Sequence, residues 1–112
     1  MHEAIYEELK RVASAETVAY YGQIAPLADL DMSRADDRNE ISQILDEISA
    51  HEHSLGRPLL SAVVVHAPGE GSGGLPGSGF FKLARRLGVQ RGQDNVTFFA
   101  RELIRVHDAW RE

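Results

Sequence analysis

The chain has 112 residues, with 12 Lys and Arg against 17 Asp and Glu for a formal net charge of −5, and it contains no cysteine. That length suits a single domain, residues 1–112, with a core of its own, and the absence of cysteine excludes disulfides, thiolate metal ligands and a cysteine nucleophile. No apolar run approaches the roughly 18 residues of a membrane span, and Met1-His2-Glu3 lacks the basic start of a secretory signal, so no membrane contact is expected and the expected location is the cytoplasm.

The charge is unevenly spread. Residues 1–78 carry 5 Lys/Arg and 13 Asp/Glu, a balance of −8, whereas residues 79–112 carry 7 and 4, a balance of +3. An acidic half followed by a basic half either pairs internally or marks a partner surface.

In chain order, Ile5, Leu9 and Val12 recur at helical spacing and predict an amphipathic helix over Glu3 to about Ser14. Glu16 or Thr17 opens a second, short helix with Tyr20 or Tyr21, Ile24 and Leu27 or Ala28 on its apolar side. Pro26 sits badly in it, because a proline beyond the first turn removes a hydrogen bond. The third helix follows caps at Ser33 or Asp36, carries an apolar stripe of Ile41, Ile44, Leu45, Ile48 and Leu55, and stops before Gly56, with Pro58 just beyond. Its outer face, Asp37, Arg38, Glu40, Asp46, Glu47 and His53, is mostly acidic.

The solid apolar run that comes next predicts a buried strand over Pro58 to His66, with Thr17–Ala19, Gly79–Phe81 or another subunit as its pairing partner. Six glycines lie between Gly69 and Gly79, a loop with almost no side chains. Phe80, Phe81, Leu83, Ala84 and Leu87 then predict a helix stopped by Gly88. After the polar stretch Gln90–Gln93, Asp94 or Asn95 begins a last helix with Val96, Phe99, Leu103, Val106 and Trp110 inward. The expected fold class is α+β and mostly helical.

The order helix, helix, strand, glycine-rich loop resembles a winged-helix core of three helices, a strand and a wing, here with two additional C-terminal helices. More narrowly, Thr17-Val18-Ala19-Tyr20-Tyr21-Gly22-Gln23-Ile24-Ala25 is similar to the segment that opens the DNA-binding domain of the alkylguanine alkyltransferase family. That family's reactive Pro-Cys-His-Arg motif is missing, so its alkyl transfer is not implied. The resemblance would put Arg38 to Ser54 in the recognition-helix position, where Glu40, Asp46, Glu47 and Glu52 oppose DNA phosphates.

Candidate binding residues gather around the glycine loop. Gly77, Ser78 and Gly79 precede a helix whose unpaired N–H groups attract anions, and Lys82, Arg85 and Arg86 form a basic edge on that helix. Neither G-x-G-x-x-G nor a Walker pattern is present. Glu52, four residues past Ile48, falls on the apolar side of the third helix and needs a partner such as Arg57, Arg85 or a loop N–H. His66 ends the strand and completes the candidate set.

Chemistry finds less support. In His51-Glu52-His53 the two histidines are two apart and diverge on a helix, so no metal site is expected. Ser61 and His66 are five apart and point to opposite faces of a strand, and Ser78 lacks a nucleophile elbow. No catalytic residue and no cofactor is assigned. Two functions remain: a binding or regulatory module that contacts a protein or nucleic-acid partner through its wing and basic C-terminal helices, with a homodimer open; or an enzyme or ligand sensor whose loop closes over an anionic, phosphate-containing molecule.

Overall fold

A computed structural model describes residues 1–111. Its elements are α1 (Glu3–Ser14), β1 (Ala19–Tyr20), α2 (Tyr21–Ile24), a 3-10 turn (Ala25–Ala28), α3 (Ala35–Ser54), a second 3-10 turn (Leu60–Val63), β2 (Val64–Val65), α4 (Ser78–Arg86) and α5 (Asn95–Trp110). The fold is mostly helical, with one small sheet in which β1 and β2 run parallel and Ala19 faces Val64. Among the described residues no helix is long and apolar enough to cross a membrane.

The core forms where helical stripes converge on the Leu59–Val65 segment. Ile5, Leu9, Val12 and Ala13 of α1, Ile41, Leu45 and Ile48 of α3, and Phe98, Phe99 and Val106 of α5 are buried around Leu59, Leu60, Ala62, Val63, Val64 and Val65. Caps define the helix ends. His2 Nδ1 accepts the Ile5 N–H at 3.2 Å to start α1, and the Asp94 carboxylate accepts the Thr97 N–H at 2.8 Å to start α5. Gly56 and Gly88, just past α3 and α4, take φ of 77° and 76°, a left-handed turn that a Cβ would strain.

Several expectations need correction. The apolar run does not extend as a strand from Pro58 to His66: Leu60–Val63 coils into a 3-10 turn and only Val64–Val65 pairs. A segment buried on every side has no polar face to reveal its period, so apolarity alone cannot distinguish strand from turn. Its pairing partner includes Ala19, at the end of one expected stretch; Gly79–Phe81 is helical. The short second helix begins at Tyr21, with the Gln23 side chain accepting the Tyr20 N–H at 2.9 Å, and Pro26 sits at the start of a separate 3-10 turn that needs no N–H from it.

Helix α3 starts at Ala35 behind Arg34, not behind a Ser33 or Asp36 cap; Ser33 instead donates to Asp31 and Asp31 N–H to Asp37. Leu55 is 53 % exposed because α3 ends at Ser54 and the chain turns away. In α5 it is Phe98, not Val96, that enters the core; Val96 is 61 % exposed. The larger aromatic ring wins the inward position and sits against Phe80 and Phe81.

Candidate functional site

The glycine loop leaves β2 at His66 and returns to it. His66 N–H donates to the Leu75 carbonyl and Gly74 N–H donates to the His66 carbonyl, both at 2.9 Å, so the excursion closes on itself like a hairpin. Inside it Glu70 N–H donates to Ala67 O and Leu75 N–H to Ser72 O. The positive φ of Gly69, Gly71 and Gly74 makes these tight reversals possible.

Beyond the loop, Gly77 meets Tyr21. The phenol oxygen of Tyr21 accepts the Gly77 N–H at 2.8 Å, and the Tyr21 ring lies on the His66 imidazole with centroids 4.8 Å apart. Burial raises the Tyr21 phenol above its ordinary range, with the nearby Asp46 charge adding to the rise and the Gly77 bond opposing it. Helix α4 then starts against the Ser42 side chain of α3. A Cβ on Gly79 would stand 2.6 Å from Ser42 Oγ, so only glycine fits there as the structure stands.

These contacts enclose a half-open cleft of about 240 Å³. Tyr21, Arg38, Asn39, Ser42, Asp46, His66 and Ser78 supply its polar walls, and Met32, Ile41, Leu45 and Phe80 its apolar floor. Asp46 forms no ion pair among the described residues; burial raises its carboxyl, while the charge of Arg86 draws it back down. That pull is one place where the acidic and basic halves of the chain meet. A second is the ion pair of Arg111 with Glu16 at 2.7 Å.

The expected site residues therefore divide. His66, Gly77, Ser78 and Gly79 come together around the cleft. Lys82, Arg85 and Arg86 are exposed on α4, and Arg85 reaches Asn95 Oδ1 at 3.5 Å. Glu52 joins neither group. It is wholly buried near the far end of α3, paired with Arg57 and with the Tyr6 hydroxyl, so it holds α1 and the segment after α3 rather than the loop. The second buried carboxylate, Glu102, escaped the sequence reading; it accepts the Leu59 N–H at 2.8 Å and pairs with Arg105. Its only sequence signal is a position three past Phe99, on the inner face of α5.

Tyr21 and Ser42 were also not anticipated as site residues, because contacts across elements leave no periodic trace. Among the described residues no three His, Asp or Glu side chains converge in a way that would hold a metal ion. The chain matches no known family model, no curated protein and no solved structure.

Proposed function

We propose that this protein is a winged-helix-like binding module whose exposed helix α4, together with the adjoining glycine loop, grips an acidic surface on a protein partner. The observation that carries this reading is the distribution of uncommitted cations. Lys10, Arg11, Arg34, Arg57, Arg105 and Arg111 each pair with a carboxylate. The Lys and Arg side chains without an ion pair among the described residues are Arg38, Lys82, Arg85, Arg86, Arg91 and Arg101, four of them within residues 82–91. Helix α4 carries three cations and no acid. Charges left in water and clustered on one element steer association with a surface of opposite sign.

The winged-helix part of the proposal draws support from the order α2, α3, β2 and a loop that folds back onto His66. A protein partner fits better than a nucleic acid. The exposed positions of α3 include Asp36, Glu40 and Glu47, and the whole chain is acidic, which opposes phosphate binding. A phosphate held by the loop is also disfavoured, because the N–H groups of His66, Glu70, Gly74, Leu75 and Gly77 are already donated within the protein.

The test is native mass measurement of protein purified from its own host, as wild type and as the K82E/R85E/R86E variant. The expected result is a partner chain that dissociates from the wild type at high salt and is missing from the variant. Retention of the same partner by the variant overturns the proposal, as does salt-dependent binding of duplex DNA or RNA in place of any protein.

A further inference from the structure

The cleft between α3 and the start of α4 holds two opposite charges that nothing in the chain answers. Arg38 and Asp46 both line it, and neither belongs to an ion pair among the described residues. Ser42 stands midway between them on α3, with the guanidinium one turn before its hydroxyl and the carboxylate one turn after it, along one face. Arg38 spends one N–H on the Met32 carbonyl at 2.9 Å and keeps the others. Asp46 is half-buried and near enough to Tyr21 for its charge to act on the phenol, whereas the exposed Arg86 reaches it only through its field. A half-buried charge without a counter-ion is costly, and a ligand that brings one relieves the cost.

The separation of the two charges sets the length of such a ligand. Eight residues at 1.5 Å each place Arg38 and Asp46 about 12 Å apart along the helix axis, too far for a single amino acid to touch both. An extended dipeptide spans about 7 Å, and a charge-assisted contact of about 2.8 Å at each end makes up the rest. The wall between the charges suits the middle of a dipeptide. Asn39, Ser42 and Ser78 hold no side-chain hydrogen bond among the described residues and are left for its amide, while Ile41, Leu45 and Phe80 offer its side chains an apolar floor. A simple amine or a phosphate meets one of the two charges and leaves the other unanswered.

We propose that this cleft binds a short apolar peptide by its free ends, the ammonium at Asp46 and the carboxylate at Arg38. Recognition is of a dipolar molecule of fixed length, with Ser42 and Asn39 on its backbone. The site is separate from the cationic face of α4 and does not depend on the partner assigned to that face.

Titration calorimetry of the full chain with L-leucyl-L-leucine tests the proposal, alongside the N-acetylated dipeptide, the dipeptide amide and free L-leucine. The expected result is saturable binding below about 10 mM that weakens about tenfold when either end is blocked, each end being a hydrogen-bonded charge pair. D46N should lose the same factor toward the free dipeptide yet bind the N-acetylated form as the wild type does, and R38Q should behave likewise with the amide. Q43A, at an exposed position of α3 outside the cleft, should change nothing. Asp46 has no ion pair to lose, so D46N should keep the wild-type melting temperature; where a variant melts lower, the blocked analogues read the same contact on the unaltered protein. Absence of saturable dipeptide binding overturns the proposal. So do equal affinities for free and blocked forms, or for the dipeptide and L-leucine, because the cleft then does not read both charges at that spacing.

Discussion

Glu52 and Arg57, five residues apart across the end of α3, form a two-pronged ion pair: Arg57 Nε and Nη2 donate to the two carboxylate oxygens at 2.8 Å each. Glu52 is fully buried, and the Tyr6 hydroxyl donates to the same carboxylate at 2.8 Å. The arginine also covers the Trp110 ring at 5.3 Å. One side chain thus joins the ends of α1, α3 and α5. Replacing Arg57 by Met leaves a buried carboxylate without its cation and should cost about 3 kcal/mol in urea unfolding, whereas Y6F should cost about 1 kcal/mol.

The same pair predicts the acid response. Burial pushes the Glu52 carboxyl up, but the bonds from Arg57 and Tyr6 outweigh it, so the folded value lies below the ordinary range. The unfolded chain binds this proton more tightly, so the stabilisation is complete above the unfolded value of about 4.3 and is lost as pH falls through the lower folded value. An E52Q variant should therefore show a flatter loss of melting temperature between about pH 5 and pH 2 than the wild type. Equal slopes would mean that Glu52 does not contribute to acid unfolding.

Gly79 and Ser42 meet where α4 starts against α3. An alanine at 79 brings its Cβ to 2.6 Å from Ser42 Oγ, so the serine hydroxyl, the end of a one-torsion side chain, must rotate away, and with the helix propensity gained in α4 the G79A variant should stay within about 1 kcal/mol of the wild type. Removing the hydroxyl in S42A/G79A leaves the next contact at 4.0 Å, so the double variant should be at least as stable as G79A. Chemical unfolding of the four proteins in this cycle measures the coupling.

Glu102 pins the turn that precedes β2. E102A removes the acceptor of the buried Leu59 N–H and leaves Arg105 unpaired, a loss of about 2–4 kcal/mol. Hydrogen exchange should show the opening concentrated at Leu59–Val63, with α1 less affected.

Tyr21 ties the start of α4 to β2. In Y21F the Gly77 N–H loses its acceptor at a cost of about 1 kcal/mol, and exchange at Gly77 should quicken while the Glu52 region stays protected. Unchanged exchange at Gly77 would show that the bond does not hold the junction.

The helices were legible where a stripe met a stop. Ile5, Leu9 and Val12 located α1, Asp94 marked the start of α5, and Gly56 and Gly88 marked the ends of α3 and α4. Glu52 announced itself as a carboxylate on an apolar face, and Arg57 was among its anticipated partners. What failed was local geometry inside uniform apolarity: Leu60–Val63 reads alike as strand or turn until α1, α3 and α5 close around it. The cleft was half legible. Gly77, Ser78 and Gly79 attracted notice through composition, but Tyr21 and Ser42 enter through contacts across 56 and 37 positions in the chain, which no local pattern encodes.

The closure of the glycine loop at His66 separates its contents from its anchorage. Both of its closing bonds use the backbone of His66, just past β2, and residues 68–74 are exposed, with Gly71 beside the His66 ring. Each doubling of such a loop costs only about 0.6 kcal/mol. Sequence between Ala67 and Gly74 can therefore lengthen almost independently of the rest of the molecule as long as the left-handed positions Gly69, Gly71 and Gly74 stay glycine, which makes this segment a port where new recognition can be written, by evolution or by insertion of a reporter peptide, onto an unchanged scaffold.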